Sequence, residues 1–130
     1  MTARFTHIAL PCHDLEATIG WYETHTSLRM THRRTDPDGD VAWVTSEHDS
    51  MALVFVQPKD SKDPSPILTP FAHLGFSLDS PEHVDEVAEN GRQAGCLAWE
   101  PTSHPPPVGY LCALADPDGN LVEFSFGQEL

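Results

Sequence analysis

The pattern of apolar and polar residues repeats once along the chain. Phe5–Leu10 reads Phe-Thr-His-Ile-Ala-Leu, and Phe71–Phe76 reads Phe-Ala-His-Leu-Gly-Phe, at an offset of 66 residues. A stretch with helical periodicity and three short strand-like runs follow each copy. Repetition at a fixed offset indicates that one structural unit is used twice. The sequence therefore predicts the order βαβββ in each half.

Capping signals and turn residues delimit the predicted elements. Asp14 is placed to cap the first helix, whose apolar residues share one face. Ser80 followed by Pro81 predicts the start of the second helix, and Gly95 predicts its end. The strand-like runs are residues 30–35, 41–47 and 51–57 in the first half and 97–102, 110–115 and 121–126 in the second.

These elements predict an α+β fold with one domain, residues 1–130. The first βαβββ module is residues 1–57, the linker with four prolines is 58–70, and the second module is 71–130. A module of this size buries its own sheet poorly, so the two halves should pack together. The Asp-Pro-Asp-Gly segments that begin at Asp36 and Asp116 are 80 residues apart instead of 66, which predicts two different hairpins.

Strand alternation selects three candidate metal ligands. Because successive strand residues face opposite sides, the first, fifth and last strands each have one aliphatic or aromatic face. The other face of each is small and polar, with a single metal-competent side chain, which is His7, His73 or Glu123. Two imidazoles and one carboxylate are the donors of a facial triad. Taken singly, each of them could also be a structural histidine or a solvated glutamate.

The amino-acid composition excludes some classes of binding partner. Asp and Glu number 20 against 7 Lys and Arg, which gives a formal charge of −13. Such a surface repels phosphate backbones and anionic membranes, so the sequence predicts neither nucleic-acid nor membrane binding. The first ten residues lack the apolar region of a secretory signal. The three cysteines are not spaced as a zinc site, and free thiols suit a reducing, cytoplasmic location.

Four segments of the chain form a familiar pattern. They are His7–Leu10, Asp14-Leu15-Glu16 leading to Trp21-Tyr22, His73–Phe76, and Asp116–Phe124 with the sequence Asp-Pro-Asp-Gly-Asn-Leu-Val-Glu-Phe. They resemble the vicinal oxygen chelate superfamily, also called the glyoxalase/bleomycin resistance/dioxygenase superfamily, and the resemblance covers almost the whole chain. It implies two βαβββ modules that form a cupped, eight-stranded mixed sheet around one divalent metal ion, and it implies a homodimer.

The ligand set that the resemblance implies is His7, His73 and Glu123, with Glu123 also the catalytic residue. The further Glu that glyoxalase I-like members carry on the fourth strand falls at Val54 here. A three-ligand site of this kind is similar to those of the extradiol dioxygenases, which use Fe(II), and the fosfomycin-modifying enzymes, which use Mn(II). The residues leave Fe(II), Mn(II), Zn(II) and Ni(II) open.

Two functions remain open at this point. The first is a metal-dependent enzyme, a dioxygenase or a lyase/isomerase, that acts on a small substrate with two adjacent oxygens. The second is a metal-free small-molecule binding protein of the bleomycin resistance type. The intact ligand set favours the enzyme, whereas the acidic charge suits a binder of cations. The aromatic residues predicted to line the substrate pocket are Trp43, Phe55, Trp99 and Tyr110.

Overall fold

Both predicted repeats form the order βαβββ in the computed structural model, which describes residues 1–60 and 66–130. The chain divides into two units, Met1–Ser65 and Pro66–Leu130. The first unit contains β1 (His7–Pro11), α1 (Leu15–His25), β2 (Arg29–Asp36), β3 (Gly39–Thr45) and β4 (Ala52–Pro58). The second contains β5 (His73–Ser77), α2 (Pro81–Ala94), β6 (Leu97–His104), β7 (Gly109–Ala115) and β8 (Leu121–Phe126).

The strands of each unit form one four-stranded mixed sheet. Their order is β1-β4-β3-β2 in the first unit and β5-β8-β7-β6 in the second. In each unit the first strand is parallel to the fourth, and the remaining pairs are antiparallel. The predicted α+β fold is confirmed, and the eight strands of the described residues form two sheets of four strands each.

The predicted capping residues begin and end the helices. The Asp14 carboxylate accepts a hydrogen bond from the Ala17 amide at 3.1 Å, which satisfies one of the free donors in the first turn of α1. The Ser80 hydroxyl does the same at the start of α2, where Pro81 fixes the first helical φ. Gly95 ends α2 with a φ of +77°, a left-handed conformation that glycine adopts without steric cost.

The two Asp-Pro-Asp-Gly segments form different connections, as their spacing predicted. Asp36 pairs directly with Gly39, so β2 and β3 are joined by a two-residue turn. Before β8, the Asp116 carboxylate instead accepts hydrogen bonds from the backbone amides of Asp118 and Asn120, at 2.9 and 3.0 Å. Asp116 is 5% exposed, so its side chain builds the loop from inside.

Part of the predicted linker 58–70 lies in the second unit, and residues 61–65 of it lie outside the described residues. The Asn120 side-chain oxygen accepts hydrogen bonds from the amides of Ile67 and Leu68, both at 2.9 Å. The Leu68 carbonyl in turn accepts one from the Leu121 amide at 2.8 Å. Asn120 is 1% exposed and so ties this segment to the start of β8.

The core of each unit lies between its helix and one face of its sheet. In the first unit the Tyr22 ring of α1 packs on Phe55 of β4, with ring centroids 4.9 Å apart. In the second unit Phe76 stacks on Phe124 at 5.6 Å. Cys112 lies on this helix side, and burial raises the pKa of its thiol to about 11, which keeps it protonated at neutral pH. No helix within residues 1–60 and 66–130 is long and apolar enough to cross a membrane.

Candidate functional site

His73 and Glu123 meet on the face of the second sheet that is opposite to α2. Gly75 of β5 pairs with Glu123 of β8 in parallel register, so His73, two residues before Gly75, lies on the same face. The His73 Nε2 atom is 3.6 Å from Glu123 Oε1. The side chains are 34% and 8% exposed, so the carboxylate is buried while one edge of the imidazole is open.

A backbone carbonyl sets the tautomer of His73. Its Nδ1 atom is 2.7 Å from the carbonyl oxygen of Phe71. A carbonyl oxygen only accepts hydrogen bonds, so Nδ1 carries the proton and the lone pair of neutral imidazole lies on Nε2. That lone pair belongs to the atom nearest the Glu123 carboxylate. A histidine held by a carbonyl through one nitrogen, with the other nitrogen facing a carboxylate, has the arrangement of a metal ligand.

The Glu123 carboxylate has few polar contacts for a buried charge. Its Oε2 atom accepts one hydrogen bond from Gln128 Nε2 at 3.1 Å. Ser125, two residues further along the same strand face, has a buried hydroxyl that makes no hydrogen bond within the part of the chain that the structure describes. Gly75 carries no side chain above the carboxylate, and a Cβ atom there would lie 3.6 Å from Oε2. A buried carboxylate is costly unless a positive charge compensates it.

A cavity of about 430 Å³ opens beside Glu123 in the second unit. Its volume is in the range of small-molecule sites. The Trp99 ring meets His73 edge-on, with centroids 5.6 Å apart, and therefore connects the cavity wall to the pair. The lining residues are Trp99, Glu100, Thr102, His104, Val108, Leu111 and Glu123.

Two irregularities in β6 place consecutive side chains at this cavity. The pairing of β6 with β7 shifts between Leu97 and Trp99 and again between Trp99 and Thr102. Each shift inserts an extra residue, which re-aims the side chains that follow. Regular alternation would place Trp99 and Thr102 on opposite faces of the strand. Trp99 was predicted to line the pocket as an aromatic residue, and Thr102 was not predicted. Pro101 was the available signal, because proline inside a strand marks an edge or a bulge.

His7 lies on the corresponding face of the first sheet. It begins β1, and its Nδ1 atom is 2.9 Å from the Thr6 hydroxyl oxygen. Ala9 pairs with Val54 in the register in which Gly75 pairs with Glu123 in the second unit. Val54 therefore holds in the first unit the register position that Glu123 holds in the second. An apolar side chain there supplies no ligand, as the sequence indicated.

Trp43 shares that face of the first sheet. It pairs with Val54 across β3 and β4 and is 39% exposed. Its ring meets His32 of β2 edge-on at 5.6 Å. Trp43 therefore lies on the open face of the first sheet.

Phe55 and Tyr110 face the helices, so their assignment to the pocket does not fit the structure. Phe55 is 1% exposed and packs against Tyr22 of α1. Neighbouring residues in a strand face opposite sides, so Phe55 cannot share the open face with Val54. The Tyr110 hydroxyl donates a hydrogen bond to Asp85 of α2, which places its ring on the helix side of the second sheet. Phe55 is a core residue, and Tyr110 is a partly exposed residue on the helix side.

The Tyr110–Asp85 contact predicts a measurable titration. Donation to the Asp85 carboxylate favours the neutral phenol and raises the pKa of Tyr110. This contact contributes stability below the ordinary tyrosine pKa of about 10, and the contribution is lost as pH rises through the raised value. In an NMR titration of the Tyr110 Cζ resonance, we expect Asp85→Ala to lower the midpoint. Glu86→Ala, which removes the next carboxylate of α2, should leave the midpoint unchanged, and an equal effect of both variants would contradict the assignment.

His73 and Glu123 are the two metal-competent side chains that meet in the second unit. Within the described residues 1–60 and 66–130, no three His, Cys, Asp or Glu side chains are grouped so that they could hold an ion.

The sequence profile of the Glyoxalase/Bleomycin resistance protein/Dioxygenase superfamily matches residues 4–124. The chain belongs to this superfamily. An uncharacterized protein of Pseudomonas aeruginosa, PA2024, is 39% identical over 130 residues, which are 100% of this chain and 93% of that protein. The superfamily motifs therefore extend over both units.

Several solved structures have the same fold as this chain. TnmS3, an antibiotic binding protein from Streptomyces sp. CB03234, matches with a TM-score of 0.71 at 19% identity, covering 98% of each chain. A variant of FosX, the fosfomycin resistance protein from Listeria monocytogenes, in complex with Mn(II) and 1S,2S-dihydroxypropylphosphonic acid, matches with a TM-score of 0.76 at 18% identity. This second match covers 98% of this chain and 95% of that chain. At such identities the similarity shows the fold.

The donors of this superfamily member fit a divalent ion of borderline hardness. Imidazole nitrogen and carboxylate oxygen together suit Zn(II), Fe(II), Mn(II) and Ni(II). The buried, under-compensated Glu123 carboxylate and the oriented Nε2 atom of His73 are the observations that carry this fit.

Proposed function

We propose that the chain is a divalent-metal-dependent enzyme that acts on a small substrate with two adjacent oxygen atoms. His73 and Glu123 would hold the ion together with His7, the donor that the family resemblance adds. The observation that carries the proposal is the 3.6 Å approach of the oriented His73 Nε2 atom to the buried Glu123 carboxylate. The two atoms that approach each other are a nitrogen and an oxygen of the kinds that bind divalent ions.

The bound ion would supply Lewis acidity to the substrate oxygens. The residues of the chain would bind and orient the rest of the substrate. Trp99 and Leu111 offer apolar walls, and the Thr102 hydroxyl offers a hydrogen-bonding group in the same cavity. Glu123 would be the catalytic residue, because its buried negative charge would lie beside the ion. The reaction would be a dioxygenation or a lyase/isomerase reaction.

The second candidate function is metal-free binding of a small molecule. Its support is the cavity wall, in which Trp99, Val108 and Leu111 contribute apolar surface. TnmS3, which has the same fold, is described as an antibiotic binding protein. A formal charge of −13 favours a cationic ligand in that case. We further propose that the protein is a homodimer, as the family resemblance implies, and that it is cytoplasmic, as its free cysteines suggest.

Thermal unfolding with and without metal ions separates the two functions. Ligands that bind only the folded state raise its stability in proportion to the logarithm of their concentration. We expect Mn(II), Fe(II), Zn(II) or Ni(II) to raise the Tm of chelator-treated protein, and excess EDTA to reverse the change. A Tm that none of the four ions changes would reject the metal-dependent enzyme and favour metal-free binding of a small molecule.

A further inference from the structure

The C-terminal tail returns to the Glu123 carboxylate. β8 ends at Phe126, and Gly127 adopts a φ of +86°, which turns the chain back. Gln128 Nε2 then donates to Glu123 Oε2 at 3.1 Å. The next residue is tethered as well, because the Glu129 amide donates to the Pro107 carbonyl oxygen at 3.0 Å. The backbone that follows Gln128 is therefore tethered.

This hydrogen bond distinguishes the two oxygens of the carboxylate. Oε2 is occupied by the amide of Gln128, and Oε1 is the atom that lies 3.6 Å from His73 Nε2. The Glu123 side chain is only 8% exposed, although it lines the cavity. Without Gln128, rotation about the last side-chain bond of Glu123 would meet no directional restraint among the hydrogen bonds of the described residues.

We propose that Gln128 is a positioning residue, which holds Glu123 in the orientation that binds the metal ion. This inference rests on the proposed function. The amide fixes Oε2, so Oε1 stays turned toward His73 Nε2 before an ion arrives. A carboxylate ligand that is itself hydrogen-bonded loses less freedom on binding, and the ion is bound more tightly. A neutral amide serves this purpose because it donates a hydrogen bond without adding a charge that competes with the ion.

The test replaces Gln128 with methionine, which keeps the length of the side chain and removes the donor. We expect isothermal titration of chelator-treated full-length protein with Mn(II) to show an affinity about 10- to 100-fold weaker than that of wild type. The Tm of the metal-free variant should equal that of metal-free wild type, because the tail retains its bond from Glu129 to Pro107. Glu129→Gln is the matched control, since it changes the charge of the tail and leaves this backbone bond; its Mn(II) affinity should stay that of wild type.

The outcomes separate this inference from the proposed function. If wild type binds Mn(II) and Gln128→Met binds it equally well, the role of Gln128 is rejected and the metal site stands. If the metal-free Tm of Gln128→Met falls below that of wild type, the shorter variant Gln128→Ala is measured as well. A Gln128→Ala variant with the same lowered Tm but the Mn(II) affinity of wild type would show that the tail only supports the fold. If wild type binds none of the four ions, the proposed function fails and the role of Gln128 fails with it.

Discussion

Glu123→Gln is expected to abolish most metal binding while the protein remains folded. The substitution keeps the shape of the side chain and removes the anion. Loss of an outer-shell partner costs about 10- to 100-fold in metal affinity, so loss of a charged ligand should cost more than about 100-fold. The metal-free fold should tolerate the change, because it removes a buried charge whose only direct hydrogen bond among the described residues comes from the Gln128 amide. Titration with Mn(II) measures the affinity, and urea unfolding measures the stability.

Glu100→Gln is the control for this experiment. Glu100 lines the same cavity, but its side chain is 67% exposed and pairs with Arg92 at 2.6 Å. Removing its charge changes the cavity electrostatically without removing a proposed ligand. Equal losses in the two variants would mean that the general negative charge of the cavity attracts the ion and that Glu123 has no special part.

Phe55→Ala is expected to destabilise the first unit strongly, by about 3–5 kcal/mol in the free energy of unfolding. The ring is 1% exposed and packs on Tyr22, so truncation leaves a cavity beneath α1 that its neighbours cannot fill. Urea unfolding at neutral pH gives the value. If the variant does not fold, Phe55→Leu, with a smaller volume change, should retain the fold and still lose stability.

Trp43→Ala is the matched comparison, because this larger ring is 39% exposed on the opposite face. Its loss should cost roughly 1 kcal/mol, the order of its edge contact with His32. It should instead affect ligand binding on the open face. A reversed order of the two stability losses would show that Phe55 and Trp43 have been assigned to the wrong faces of the sheet.

Local signals were sufficient for the elements of the fold. Asp14, Ser80 and Gly95 act as caps because their chemistry requires only neighbours in sequence. The same holds for the alternation that placed His73 and Glu123 on one face, since β5 and β8 are regular through this region. The offset of 66 residues between the two histidine-containing strands predicted the repeated order of elements.

Features that depend on tertiary contacts could not be predicted from the sequence. The bulges of β6 moved Thr102 to the cavity, and only the pairing with β7 shows them. Tyr110 was assigned to the pocket by its residue type, whereas Asp85, 25 positions away, holds it on the helix side. Gln128 follows the last strand, and no sequence pattern links it with Glu123. Only the folded structure shows the hydrogen bond between them.

Diffraction from crystals grown with Mn(II) tests whether His7, His73 and Glu123 bind a metal ion, because the anomalous signal locates the ion without assumptions about its ligands. We expect one anomalous peak per chain, roughly 2.0–2.3 Å from His73 Nε2, a Glu123 carboxylate oxygen and a ring nitrogen of His7. The absence of a peak beside His73 and Glu123 at saturating Mn(II), or a peak that other residues hold, would contradict the proposed metal site.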